Sequence, residues 1–206
     1  MKRDLLDRIA CSRKVANSAA KSIDINPTGR FESFPMTDMQ QAYWIGREDA
    51  AAMHIYLEYE VDNLDFARFH RAWDMLLHRH DMLRVIARPD GYQQVLEVVP
   101  EYTIDRHSLL KLDISSRDRM IEATRRDLAH KHFDLAVWPQ FEIRVLDEEN
   151  KSRIAFSIDT WCIDGRSIQV LFAELNCLYL HPETELAPLE LTFRDYVLWS
   201  RQQEQG

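Results

Sequence analysis

The sequence lacks the features that would assign it to a membrane, secreted or nucleic-acid-binding class. None of its apolar runs reaches the roughly eighteen residues typical of a membrane span, and its first residues do not form a signal-peptide pattern. Its 26 Lys and Arg residues are outnumbered by 34 Asp and Glu residues, which gives a net charge of −8. Because no basic stripe could follow a phosphate backbone, nucleic-acid binding is disfavoured. We therefore expect an acidic, soluble, cytoplasmic protein with no membrane partner.

Cysteine and glycine are also scarce, and their positions exclude several kinds of site. Cys11, Cys162 and Cys177 are odd in number and far apart, so the sequence predicts reduced thiols, not a disulfide framework or a zinc knuckle. None of the five glycines lies in a GxGxxG or Walker pattern, so no phosphate-binding loop is expected. His130 and His132 are two positions apart and do not share a helical face, which disfavours a metal site.

The sequence contains both strand and helix patterns, and it has enough apolar residues to form a core. Period-two alternation predicts a half-buried strand over residues 54–61, and an apolar face at helical spacing follows over 66–79. Further strands are predicted at 83–87, 92–99, 102–106, 141–146 and 152–158, and further helices at 115–132, 165–179 and 192–203. This order favours an α/β or α+β fold in which a mixed β-sheet is flanked by helices.

Capping and turn signals refine this prediction. A helix followed by a polar linker is predicted for residues 1–30. Thr37 and Gln40 form a capping-box pattern, and Gly46 is placed to end that helix as its C′ residue. The Asp90-Gly91 pair tolerates positive φ and predicts the turn of a β-hairpin.

Two carboxylates five positions apart, Asp159 and Asp164, bracket a predicted loop between a buried strand and a helix. A carboxylate at such a junction can be a general base, an electrostatic element beside an oxyanion, a metal ligand or a helix cap. Asp164 fits simple N-capping, because its oxygen can accept the free N–H groups of the helix that begins at Gly165. Cys162 lies inside the loop, but no histidine adjoins it in sequence, so covalent catalysis is disfavoured.

Five blocks of the sequence, in order, resemble the motifs of heterocyclization domains, which are specialised condensation domains of nonribosomal peptide synthetases. The blocks are FPMTDMQQAYWIGR at 34–47, RHDMLR at 79–84, PDGYQQ at 89–94, SIDTWCIDG at 157–165 and LTFRDY at 191–196. The fourth looks like the DxxxxDG that replaces the HHxxxDG of ordinary condensation domains. The resemblance implies a chloramphenicol-acetyltransferase-like fold, a pseudodimer of two lobes, of which residues 31–206 are similar to the N-terminal lobe alone.

The resemblance also implies an activity. In the family, carrier-bound substrates enter a tunnel between the lobes, and an amide forms on the nitrogen of cysteine, serine or threonine. The side chain then cyclises with loss of water to a thiazoline or oxazoline. The implied partners are peptidyl or aryl carrier proteins, whose phosphopantetheine arms deliver the substrates, and the C-terminal lobe. No cofactor is expected to bind the chain directly.

Whether the isolated chain is an enzyme stays open at this point. Residues important for cyclodehydration are implied to lie on the second lobe, so the isolated chain is expected to be inactive. The alternative is a non-catalytic standalone lobe that presents a surface to a carrier protein or a partner lobe. An exposed apolar patch and a tendency to associate would favour a lobe built to face its twin, whereas a self-sufficient module should be monodisperse.

Residue by residue, the resemblance places Asp159 and Thr160 at the positions of the two motif histidines. A threonine hydroxyl is a poor general base, so the mechanism of ordinary condensation domains cannot be transferred. Asp164 matches the motif aspartate, which in relatives is ion-paired with the arginine of the second block, here Arg84. Asp159 and Asp164 are therefore the candidate catalytic residues, and Arg84 and Gly165 are predicted to support the motif. The predicted tunnel-wall residues are Thr160, Trp161 and Cys162.

Overall fold

The computed structural model describes residues 23–48 and 53–204. The predicted N-terminal helix, and Cys11 with it, lies outside the described residues. The described part begins in the predicted linker, which contains a single 3-10 turn at Pro27–Gly29.

The described residues contain five α-helices and seven β-strands. The helices are α1 (Asp38–Ile45), α2 (Phe66–Arg79), α3 (Ile114–Ala129), α4 (Gly165–Leu180) and α5 (Phe193–Glu204). The strands are β1 (Phe34–Pro35), β2 (His54–Asp62), β3 (Val85–Ala87), β4 (Tyr92–Val95), β5 (Asp105–Ser108), β6 (Phe141–Asp147) and β7 (Lys151–Asp159). None of these helices has the length and apolarity needed to cross a bilayer.

A four-stranded sheet in the order β2-β7-β6-β5 forms the centre of the fold. β7 is antiparallel to both β2 and β6, whereas β5 runs parallel to β6. A smaller antiparallel sheet has the order β1-β4-β3. The prediction of a mixed β-sheet flanked by helices is confirmed.

Helices cover both faces of β7, which explains why this strand is almost entirely buried. On one face, Phe156 packs its ring against Trp73 of α2 and Phe172 of α4. On the other face, Glu58 of β2 lies opposite Ala155 in the register and is bound by Arg125 of α3. The core therefore packs β7 on both faces and fixes the position of its last residue, after which the motif loop, residues 160–164, begins.

Local signals in the sequence located several caps and turns correctly. The capping box of Thr37 and Gln40 is present, with both reciprocal hydrogen bonds formed. Gly91 occupies the predicted hairpin turn with φ of +80°. Thr192, the residue at which the last helix is predicted to begin, caps that helix through a reciprocal pair of hydrogen bonds with Asp195. Each of these features depends on residues within a few positions of one another, which is why sequence patterns locate them.

Other boundaries differ from the prediction, in one case because strand pairing decides where the strand lies. Gly46 has φ of −75° and continues α1 into a 3-10 turn, so it is not the predicted left-handed C′ residue. The predicted strand over 102–106 is shifted to Asp105–Ser108, where it pairs in parallel with the end of β6. Asp159 is the last residue of β7, not a loop residue.

Phe156→Ala is expected to destabilise the protein by about 3–5 kcal/mol, because it leaves a cavity between the sheet and two helices. Urea unfolding followed by circular dichroism measures this loss. Val98→Ala is the control, since Val98 is 84% exposed and its truncation should change stability by less than about 0.5 kcal/mol. Equal stability of Phe156→Ala and the wild type would contradict this account of the core.

Candidate functional site

An open cleft of about 590 Å³ lies where β7 ends and α4 begins. Its size is in the range of small-molecule sites. The cleft is lined by the motif loop and the first residue of α4, namely Thr160, Trp161, Cys162, Ile163, Asp164 and Gly165. Its other walls come from α1, the C-terminal end of α2 and the segment before α5, which contribute Met39, Tyr43, His80, Leu189 and Leu191 among others. Sequence positions far apart are thus brought together around one strand-to-helix junction.

Asp159 is fully buried and does not line the cleft. Its carboxylate forms an ion pair with the guanidinium of Arg47 and accepts a 2.9 Å hydrogen bond from the backbone N–H of Trp161. Burial raises the pKa of the Asp159 carboxyl above its ordinary value, while the Trp161 N–H and Arg47 oppose the rise. The side chain is therefore placed to anchor the motif loop, not to meet a molecule in the cleft.

Thr160 and Cys162 are held by hydrogen bonds to backbone carbonyls. The Thr160 hydroxyl donates to the carbonyl oxygen of Met53 at 2.8 Å, and the Thr160 N–H donates to the same oxygen at 3.0 Å. The Cys162 Sγ lies 3.2 Å from the carbonyl oxygen of Asp159. Burial raises the pKa of the Cys162 thiol, so the nucleophilic thiolate is disfavoured. Both side chains border the cleft, and neither has the partners of a base or a nucleophile.

A buried pair of glutamine amides fixes the other side of the loop. Gln40 Nε2 donates to Gln93 Oε1 at 2.9 Å, and Gln93 Nε2 donates back to Gln40 Oε1 at 2.8 Å. Gln40 Nε2 also donates to the carbonyl oxygen of Trp161 at 3.1 Å. This network joins α1, β4 and the motif loop in a buried environment where each bond is costly to lose. Sequence reasoning identified Gln40 only as a capping residue and missed Gln93, because the two are 53 positions apart.

Asp164 is exposed, lines the cleft and caps the N-terminus of α4. Its Oδ1 accepts the N–H groups of Ser167 at 2.7 Å and Arg166 at 3.1 Å. Hydrogen bonds from the backbone and side chain of Ser167, together with the Arg166 N–H, lower the pKa of this carboxyl. Asp164 is therefore an anion at neutral pH, at the edge of the cleft.

The predicted ion pair between Arg84 and Asp164 is wrong. Arg84 is buried and bonds to Asp81 at 2.8 Å and to the carbonyl oxygens of Leu77 and Leu96 at 3.1 and 2.6 Å. Asp81 is also bound in bidentate fashion by Arg30. Arg84 lies in a 3-10 turn immediately after α2, so the end of that helix and the end of β4 offer its guanidinium a nearer set of acceptors. Within the described part of the chain, Arg84 supports the walls of the cleft, but not through Asp164.

A second ionic cluster, which sequence reasoning did not identify, lies at the rim. Glu174 of α4 is bound by His80 Nε2 at 2.8 Å and by Arg79 Nε at 2.9 Å. Burial raises the pKa of Glu174, but the hydrogen bonds from His80 and Arg79 outweigh it and leave the pKa lowered. Arg79 also donates to the carbonyl oxygen of Ala187, so the cluster ties α2 and α4 to the segment before α5. In residues 23–48 and 53–204, no three His, Cys, Asp or Glu side chains are arranged to hold a metal ion.

Solved structures share this architecture. The EpoB cyclization-docking bidomain of a nonribosomal peptide synthetase from Sorangium cellulosum superposes with a TM-score of 0.86 and 34% identity, over 91% of this chain and 39% of that one. The mixed sheet and its strand-to-helix cleft thus define one lobe of a chloramphenicol-acetyltransferase-like fold.

Sequence comparison gives the family. The condensation domain profile matches residues 32–206. Pyochelin synthetase PchF of Pseudomonas aeruginosa is 33% identical over 83% of the chain, and phenyloxazoline synthase MbtB of Mycolicibacterium paratuberculosis is 32% identical over 91%. The chain belongs to the condensation domain family and is a condensation-type domain of nonribosomal peptide synthetases. It spans only 10% of PchF and 17% of MbtB.

Arg47→Met is expected to destabilise the protein by about 3–5 kcal/mol at pH 7, because it leaves the Asp159 carboxylate buried without its counter-charge. Removal of Arg47 raises the pKa of Asp159 further. The Asp159 carboxyl then binds a proton more tightly in the folded state than in the unfolded state. The loss of stability in Arg47→Met therefore grows as pH rises through the folded-state pKa of Asp159, and it shrinks in acid. Urea unfolding at pH 7 and pH 5 measures both effects.

Two further variants test whether charge causes this loss. Arg47→Lys keeps the positive charge and should lose less stability than Arg47→Met. Arg166→Met changes an exposed arginine and should stay within about 0.5 kcal/mol of the wild type. A loss for Arg47→Met that does not depend on pH would show that packing, not charge, explains its effect.

Asp164→Ala is expected to cost about 0.5–2 kcal/mol at pH 7, because it removes the N-cap of α4. Asp164→Asn keeps a neutral acceptor and should cost less. Since the folded-state pKa of Asp164 lies below its ordinary value of 3.8, its charge stabilises the fold above that pH and ceases to do so as pH falls through the folded-state pKa. The stability difference between wild type and Asp164→Asn should therefore shrink below pH 3.8; a difference that grows in acid would refute the capping assignment.

Proposed function

We propose that this chain is the N-terminal lobe of a heterocyclization domain, which condenses a carrier-bound acyl donor with carrier-bound cysteine, serine or threonine and cyclodehydrates the product to a thiazoline or oxazoline. The observation that carries the proposal is the junction of β7 and α4. There the DxxxxDG stretch places an ionised carboxylate, Asp164, at the cleft, and Thr160, which the resemblance matches to the second histidine of ordinary condensation domains, lines the cleft too. The names of the relatives, a phenyloxazoline synthase and a cyclization bidomain, agree with ring formation.

The two aspartates are suited to different tasks. Asp159 is buried against Arg47 and supports the motif loop through a hydrogen bond from the Trp161 N–H. Asp164 is exposed to the cleft, and its lowered pKa makes it a weak base but a stable anion. We propose that Asp164 acts by orienting the donor groups of the acceptor substrate, its amine or its side-chain thiol or hydroxyl, through hydrogen bonds to its carboxylate. Removal of a proton from the amine, thiol or hydroxyl of the acceptor substrate would then depend on groups outside this lobe.

The apolar rim of the cleft supports a role for a second lobe. Met39, Leu189 and Leu191 line the cleft and are 63%, 41% and 46% exposed. Apolar side chains around an open cleft are typical of a surface that another body covers. We propose that the C-terminal lobe covers this rim and closes the tunnel, and that carrier proteins insert their phosphopantetheine arms between the lobes.

The same rim favours the alternative of a non-catalytic lobe that binds a carrier protein or a partner lobe. Coverage of the rim by a partner does not itself require chemistry in this chain. Carrier binding without product, by a folded chain supplied with its second lobe, would distinguish this alternative from the enzymatic proposal.

The test mixes the purified chain with carrier proteins loaded with an acyl donor and with cysteine, with and without the second lobe added in trans. Intact mass of the carriers should show condensation followed by loss of one water only when both lobes are present. Asp164→Asn should lower the rate by roughly 10- to 100-fold, because it removes an orienting charge while keeping the cap. Glu149→Gln changes an exposed carboxylate between β6 and β7 and should leave the rate unchanged.

Other outcomes are equally informative. Product from the chain alone would overturn the requirement for the second lobe. Condensation without loss of water, in the presence of both lobes, would assign the chain to ordinary amide formation. A rate for Asp164→Asn equal to that of the wild type would remove Asp164 from the reaction.

A further inference from the structure

Four glycines lie in the described part of the chain, and the fold explains only two of them. A Cβ on Gly29 would lie 2.7 Å from Asn26 Nδ2, so the chain passes too closely there for a side chain. Gly91 has φ of +80°, a conformation that disfavours other residues. A Cβ on Gly46 or Gly165 would meet nothing within 4 Å, and neither has a positive φ. The fold of the described residues therefore does not require glycine at positions 46 and 165.

Of these two positions, only Gly165 lines the cleft. It is the first residue of α4, directly after Asp164. Side chains on an α-helix tilt toward its N-terminus, so a side chain at position 165 would project toward Asp164 and the cleft. Gly46 lies at the end of α1, outside the cleft. The absence of a side chain at position 165 thus leaves space beside the one carboxylate of the motif that is exposed.

We propose that Gly165 sets the clearance of the cleft beside Asp164 and so limits the size of the acyl group that can lie there on a pantetheine thioester. The proposal rests on the function proposed above and adds the residue that determines the size limit. The prediction that Gly165 supports the motif structurally stays a prediction, since what is observed is only that an added Cβ at this position would meet nothing within 4 Å. A larger side chain at this position should leave the fold intact and exclude bulky thioesters.

The experiment measures binding of two synthetic probes, acetyl-pantetheine and benzoyl-pantetheine, to the full chain by ligand-observed NMR titration. The variants are Gly165→Ala, Gly165→Leu and the matched control Gly46→Leu. Gly165→Leu should weaken binding of the benzoyl thioester about tenfold or more, and that of the acetyl thioester by a smaller factor. Gly165→Ala should weaken binding of both probes less than Gly165→Leu does, again with a larger effect on the benzoyl thioester than on the acetyl thioester. Gly46→Leu should bind both probes as the wild type does.

Thermal unfolding shows whether a loss of binding is a loss of fold. Gly165→Ala should unfold at a temperature no lower than the wild type, because alanine fits this backbone and restricts the unfolded chain. If Gly165→Leu remains folded and binds the benzoyl thioester as tightly as the wild type, the clearance proposal is overturned. An equal loss in Gly46→Leu would overturn it as well, since that residue lies outside the cleft.

The proposed function and this inference fail in different ways. A wild-type chain that binds neither thioester would overturn the clearance role, because the cleft of this lobe would then not be a thioester site, whereas the proposed function is tested by product formation with both lobes present. If the wild type binds the thioesters and the Gly165 variants bind them equally well, only the clearance role is overturned. Selective loss of the larger probe in the Gly165 variants, with an unchanged unfolding temperature, supports the clearance role.

Discussion

The ion pair between Asp159 and Arg47 is the constraint on which the site depends. β7 is covered by helices on both faces, so its last side chain is buried and a carboxylate there needs both a counter-charge and hydrogen bonds. The 3-10 turn after α1 brings Arg47 to that point, and the Trp161 N–H supplies a hydrogen bond. The pair thereby joins the end of the central strand, the segment after α1 and the motif loop.

With its start fixed in this way, the motif loop presents a second carboxylate in a contrasting environment. Burial raises the pKa of Asp159, whereas hydrogen bonds at the start of α4 lower that of Asp164. Two identical side chains five positions apart thus receive different properties from their surroundings, as is common where a site needs groups in different states. One holds the loop in place, and the other remains charged at the surface of the cleft.

The network around the cleft shows why sequence reasoning reached only part of the site. Caps and turns such as Thr37 with Gln40, and the hairpin at Gly91, involve neighbouring residues and were predicted correctly. The partner of Arg84 was predicted wrongly, since its position after α2 surrounds the guanidinium with carbonyls and Asp81. The ion pair of Arg47, which is the last residue of the first motif, was not predicted, because its partner Asp159 is 112 residues away in sequence.

The sequence by itself determined the order of helices and strands, the mixed sheet, and the place of the two aspartates at a strand-to-helix junction. These features follow from periodicity and from short-range capping, which act between near neighbours in the chain. Only the tertiary structure decided which aspartate is buried, which is exposed to the cleft, and which arginine pairs with which carboxylate. Burial and ion pairing depend on groups brought together by packing from distant positions, and no local pattern specifies the distances between them.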